Sequence, residues 1–168
     1  METKIQFKER QRFKQWWLWL LLIGLSGGTI FSLVYQIIYE QSIGHNPMSD
    51  KGLVITSALI LMLNGLFLAF KLETRMDQDG IHVRFFPFHI KFRTYRWSDV
   101  AECKTRQYSP IGEYGGWGLR GWGANRALNV SGNQGVQITF KNGNKLLIGT
   151  QAPDLANEAI QELFKPTE

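Results

Sequence analysis

Two stretches of the chain carry no charge at all: Trp16–Ile38, WWLWLLLIGLSGGTIFSLVYQII, and Leu53–Phe70, LVITSALILMLNGLFLAF. A bilayer core about 30 Å thick is crossed by about 20 residues at about 1.5 Å per residue. The first stretch exceeds that length. The second reaches it with Gly52 and Leu72 added, because the Lys71 ammonium can snorkel to the interface. A buried helix of a soluble protein normally keeps a polar stripe, and neither stretch has one. The pattern therefore predicts a transmembrane helical hairpin over residues 16–71, with spans near 16–38 and 52–71. A cleaved signal peptide would share the basic start, the run Trp16–Ile23 and the small Gly24 and Ser26. Here the apolar sequence continues past that point, through Phe31, Leu33 and Val34.

Beyond Leu72 the period falls to two. Ile81, Val83 and Phe85 alternate with His82 and Arg84; Ile90 and Phe92 with Lys91 and Arg93; Val136, Ile138 and Phe140 with Gln137 and Thr139. This is half-buried strand periodicity, punctuated by turn sequences at Gln78-Asp79-Gly80, Pro87–His89, Ser131–Gly135 and Asn142-Gly143-Asn144. It predicts strands near 71–77, 81–88, 90–97, 100–108, 126–131, 135–141 and 145–150. A helix follows over Pro153–Phe164, with Pro153 in its first turn and an apolar face of Leu155, Ala156, Ala159, Ile160, Leu163 and Phe164. The expected fold is a membrane α-helical hairpin plus a mostly-β domain over 72–168. That domain is read as a seven-stranded antiparallel barrel or sandwich with a C-terminal capping helix.

Charge adds an orientation. The formal net charge is +5, and Lys4, Lys8, Arg10, Arg12 and Lys14 crowd into the first 15 residues, read as a basic cytosolic tail. The connector between the spans holds Glu40, Asp50 and one basic residue, Lys51, whereas Lys71, Arg75 and Arg84 follow the second span. The positive-inside rule then places both termini in the cytoplasm of a multi-pass cell-membrane protein. Trp16, Trp17 and Trp19 stand where an interfacial aromatic belt belongs, with Tyr35 and Tyr39 opposite. No recognised nucleic-acid-binding motif accompanies the positive charge, so nucleic acid is not an expected partner.

Trp97-Ser98-Asp99-Val100, the stretch Tyr108–Trp122 (YSPIGEYGGWGLRGW), Gly135-Val136 and Leu147–Thr150 with Pro153 resemble uncharacterised bacterial membrane proteins. Those proteins carry a pleckstrin-homology-like domain behind a two-helix transmembrane anchor. The resemblance covers most of residues 72–164, and Gly-Gly-Trp-Gly is its most specific part. It implies a fold and brings no activity. Phosphoinositide-binding members place basic residues around the first hairpin. The corresponding Met76-Asp77-Gln78-Asp79-Gly80 is acidic, so no phosphoinositide site is expected.

Candidate chemistry is sparse. One cysteine, Cys103, excludes an intramolecular disulfide and a multi-cysteine metal site, and reads as a packed residue. His45, His82 and His89 lack carboxylates or cysteines at metal-ligand spacing; His82 and His89 flank one hairpin and so fall near each other. Gly112–Gly123 lacks the Lys-Ser/Thr ending of a phosphate loop and carries bulky Trp117 and Trp122; its glycines suit tight turns instead. No catalytic residue, metal or cofactor is therefore assigned.

Three groups remain. Lys14, Lys71, Lys91 and Arg93 are candidate lipid-headgroup contacts. Gly24, Ser26, Gly28 and Asn64 are candidates for packing within the hairpin. Asn64 lies about 9 Å from the end of its span, a depth matched near Leu22–Ser26 on the other span, so Ser26 is its expected partner. Gly24 and Gly28 form a small-xxx-small pair suited to close helix approach. Tyr114, Trp117, Arg120 and Trp122, on the long segment Ser109–Asn125, are candidate interaction residues, since Tyr, Trp and Arg dominate binding hot spots. The competing reading folds that segment back onto the domain, with Arg120 paired to a carboxylate such as Glu113. The expected function is a membrane-anchored, non-enzymatic module that binds a protein partner or self-associates at the cytosolic surface. The alternative is a structural or lipid-interacting protein acting through its hairpin and basic strand face.

Overall fold

The computed structural model describes residues 6–41, 44, 47–121 and 123–165. Two compact units emerge: residues 14–69, and a unit assembled from residues 1–13 and 70–168.

The first unit is a pair of helices, α1 (Trp16–Tyr39) and α2 (Asp50–Ala69). Both are long and apolar enough to cross a membrane. Their apolar side chains mostly point outward: Leu20, Leu21, Ile23, Phe31, Ile55, Leu59 and Met62 are exposed, and only Leu22, Leu53 and Ser57 of the two helices are buried. Such a surface is costly in water.

The second unit begins before the hairpin. Phe7–Arg12 forms a strand, β1, paired antiparallel with β2 (Lys71–Met76) through six residues, from Phe7 opposite Met76 to Arg12 opposite Lys71. The expected cytosolic tail is thus an edge strand, and the helical hairpin is an insertion between two hydrogen-bonded neighbours. The reason lies in the side chains β1 turns inward. Phe7 is buried; the Gln11 amide donates to the Gly149 carbonyl at 2.7 Å; the Glu9 carboxylate accepts from Thr150 Oγ1 and the Gln151 backbone N–H, each at 2.7 Å. Removing residues 1–26 as a signal peptide would strip these groups from the fold.

From β2 the sheet continues through β3 (Gly80–Phe86) to β4 (Arg93–Arg96), in the order β1-β2-β3-β4, all antiparallel. The second sheet has the order β5-β8-β9-β7-β6, built from β5 (Val100–Gln107), β6 (Gly118–Arg120), β7 (Asn125–Asn129), β8 (Gln134–Phe140) and β9 (Lys145–Gly149). Among the described residues there are nine strands rather than seven, and β7 runs parallel to β9. β4 starts at Arg93, so Ile90 and Lys91 lie in the preceding turn, not on a strand face.

The core fills the space between the sheets, with Leu72, Met76, Ile81, Val83 and Phe85 from one and Val100, Cys103, Val136, Ile138, Leu146 and Ile148 from the other. Helix α4 (Pro153–Leu163) adds Ala156, Ala159 and Ile160 to it, while Leu155 points outward instead of inward. Between β5 and β6 sits a short helix, α3 (Pro110–Tyr114).

Candidate functional site

The antiparallel register decides which side chains share the outer face of the first sheet. Lys8, Arg75 and His82 stand in one row, Arg10, Glu73 and Arg84 in the next, Arg12, Lys71 and Phe86 in the last. Directly opposed residues of antiparallel strands point the same way. Since Leu72, Met76, Val83 and Phe85 fill the opposite face, this one carries six cations against a single carboxylate.

Most of those cations are held in place. Burial works against an ionised Glu73, but the Arg84 guanidinium bonded to it, with Lys71 and Arg10 nearby, keeps its carboxyl below the usual carboxylate range. Arg84 Nε donates to Glu73 at 3.0 Å and Arg10 Nε lies 3.4 Å from the other oxygen. The Phe92 ring sits under two guanidinium groups, Arg75 at 4.4 Å and Arg84 at 4.7 Å, and Lys71 Nζ lies 5.3 Å from the Phe86 ring. Cations stacked on aromatic faces keep their charge while losing rotamer freedom, which favours recognition of a fixed anionic pattern. Lys8, Arg10 and Arg12 are exposed.

No protein-family model matches this chain, and a search among curated proteins likewise finds no match.

The other expected residues fall in separate places. Tyr114 packs inward against Tyr108, Ala127 and Leu147. Trp117 is half-buried and its indole N–H donates to the Gly132 carbonyl at 3.0 Å. Arg120 is exposed, and its Nε donates to the Trp117 carbonyl at 2.9 Å. Trp122 lies outside the described residues. Glu113 pairs with Arg106 rather than Arg120, through contacts of 2.6 and 3.2 Å, while Arg106 also donates to Gln137. The bond to Arg106 and the Ser109 N–H hold the Glu113 carboxyl below its ordinary range. Buried Asn129 then joins the segment to the sheet, donating to the Tyr108 hydroxyl at 3.0 Å and accepting from the Gly118 N–H at 2.8 Å. The glycine run is turn chemistry: Gly115 ends α3 at φ 70°, and at Gly121, φ 76°, a Cβ would collide with the Asn125 carbonyl oxygen.

Within the hairpin, Asn64 Nδ2 donates to Ser26 Oγ at 2.9 Å, the pairing that equal depth suggested. Gly24 and Gly28 are different. Both are exposed, and an added Cβ at either would meet nothing within 4 Å, so neither mediates a close helix approach. Lys14 is exposed just before α1, and Lys91 and Arg93 are exposed around the β3–β4 turn. His82 bonds Asp77 and Thr94 at the start of β3, whereas His89 is buried beyond its far end, so the two histidines do not converge. His45 lies outside the described residues. Asp77 organises the acidic turn, accepting from the Asp79 and Gly80 backbone. That turn joins the second and third strands of the sheet; the connection between the first two is the hairpin itself.

The basic face escaped the periodicity argument because it needs β1. Read as a tail, Lys8, Arg10 and Arg12 are an orientation signal; read as a strand, they complete a surface. The one available cue was their strict alternation with Phe7, Glu9 and Gln11.

Proposed function

We propose that this protein is a non-enzymatic interaction module of the cell membrane, whose basic sheet face binds an acidic segment of a protein partner. The hairpin crosses the bilayer twice, with both termini in the cytoplasm. The observation that carries the proposal is the insertion of α1 and α2 between two paired strands. β1 and β2 belong to one sheet, so residues 7–12 and 71–76 lie on one side of any membrane the hairpin crosses. The side with Lys8, Arg10, Arg12 and Lys71 is the cytoplasmic one by the positive-inside rule.

A protein partner is favoured over lipid for the face as a whole. The guanidinium groups of that face stand in a fixed register and several are held by Glu73 or stacked on Phe92, a rigid pattern suited to a partner's carboxylates more than to mobile headgroups. Two packed sheets with a helix against them also support the likeness to the pleckstrin-homology-like bacterial membrane proteins, from which the parallel β7–β9 pair departs.

The test is photo-crosslinking in cells from a reactive group at Thr74-flanking Arg75, with and without Lys8→Glu and Arg10→Glu. A discrete protein adduct that charge reversal abolishes, and that Lys141→Glu in the turn between β8 and β9 leaves intact, is the expected result. Adducts with lipid alone, or an adduct indifferent to the reversals, would overturn the proposal.

A further inference from the structure

The turn between β3 and β4 exposes large apolar side chains on a rigid base. Phe88 is 57% exposed and Ile90 76% exposed, although both stand in a folded, hydrogen-bonded segment. Between them His89 points inward, 7% exposed, and its backbone N–H donates to the Phe85 carbonyl at 2.8 Å. The Phe88 ring stacks on Phe70 at 5.7 Å and on buried Phe85 at 5.8 Å, and Arg84 Nη1 donates to the Ile90 carbonyl at 3.4 Å. Two apolar side chains are thus presented outward by a loop whose own core contacts fix it. Lys91 and Arg93, both exposed, flank them.

Covalent continuity says what lies nearby. Phe70 follows Ala69, the last residue of α2, so one peptide unit, about 3.8 Å between Cα atoms, separates Phe88's stacking partner from the end of the hairpin. Phe86, the residue before the turn, is registered with Lys71, which is registered with Arg12. The turn therefore leaves the sheet at the end where the chain enters and leaves the hairpin. An aromatic and an aliphatic side chain beside basic residues, at the end of a spanning helix, match the chemistry of the bilayer interface.

We infer that the β3–β4 turn is a lipid-facing wedge, with Phe88 and Ile90 seated in the interfacial region of the bilayer and Lys91 and Arg93 on its anionic headgroups. The inference rests on the hairpin spanning that bilayer. It assigns the membrane a part of the folded domain, so that the domain is held at the surface by three elements instead of two.

The experiment uses the full chain with Cys103→Ala and one introduced cysteine carrying an environment-sensitive fluorophore. It is reconstituted into phosphatidylcholine–phosphatidylglycerol vesicles containing lipids spin-labelled near the headgroup or deep in the acyl chain. Label sites are Ile90→Cys, Leu59→Cys within α2, and Gln78→Cys in the turn at the opposite end of the β2–β3 ladder, about 20 Å along the strand from Lys71. The expected result is quenching at site 90 by the shallow label, quenching at site 59 by the deep label, and none at site 78. Quenching at 59 with site 90 behaving like 78 overturns the wedge and leaves the hairpin spanning. No quenching at 59 overturns both. Disulfide crosslinking between two Ile90→Cys chains without lipid quenching assigns the patch to a second copy and overturns the wedge.

Discussion

Replacing Phe7 by Ala separates a folded strand from a solvated tail. Phe7 is 6% exposed and belongs to the same core cluster as Leu72, Met76 and Cys103. Truncating a buried Phe costs about 3–5 kcal/mol, and its place at the first residue of an edge strand lets neighbours relax, which selects about 3 kcal/mol. For a domain of this size that is a fall in Tm of about 12 °C, at about 4 °C per kcal/mol. The chain supplies its own probe. Cys103, the one cysteine, is buried in that cluster, and burial together with the neighbouring Glu102 charge pushes its thiol up to about 12. A thiol-reactive fluorogenic dye in detergent therefore reports opening of the β unit and ignores the helices. Lys8→Ala is the control: it changes the adjacent, exposed side chain on the other face and is expected to move stability by no more than about 0.5 kcal/mol. If Phe7→Ala melts together with the parent and with Lys8→Ala, residues 7–12 do not contribute to the core and the insertion topology is wrong.

Three further outcomes are expected. Asn64→Leu loses the bond to Ser26 and lowers hairpin stability by about 0.6 kcal/mol in a reversible detergent unfolding series, and Ser26→Ala in the Asn64→Leu background adds little; a loss beyond about 2 kcal/mol would give Asn64 another role. Trp117→Ala, which removes the bond to Gly132, is expected to cost about 1–2 kcal/mol in the thiol-dye melt, against less than about 0.5 kcal/mol for exposed Arg120→Ala; equal melts would refute the assignment. Burial, and then the charges of Arg93 and Arg126, hold the His89 imidazole below its ordinary value of 6.5, so the unfolded chain takes up a proton that the folded one resists. Its stabilising contribution is complete above pH 6.5 and is lost as pH falls from there through the folded value; His89→Asn should flatten the Tm–pH curve over that window, and an unchanged slope would refute it.

Periodicity found the strands whose inward positions are apolar, and β2, β3, β5, β7, β8 and β9 lie within two residues of their expected bounds. It missed β1 because two of its three inward residues, Glu9 and Gln11, are polar; their partners at Gly149, Thr150 and Gln151 lie well over a hundred residues away. It missed β6 because Gly118–Arg120 is three residues long among glycines. It put Ile90 and Lys91 on a strand because their alternation is real, but the alternation belongs to a turn that shows Phe88 and Ile90 to the outside and hides His89. Counting residues from the span ends was enough to pair Asn64 with Ser26, since helical rise is uniform. The small-xxx-small spacing misjudged Gly24 and Gly28, because spacing along one helix does not say which of its faces turns toward the other.

The interruption between β1 and β2 also orders events during synthesis. β1 leaves the ribosome before the strand it pairs with, and its register mate Lys71 follows Arg12 only after the whole hairpin has been made. The six-residue ladder can close only when both helix ends have been returned to one place. A chain in which the two helix ends do not meet cannot bury Phe7 or satisfy Gln11, and it keeps an open edge beside β2.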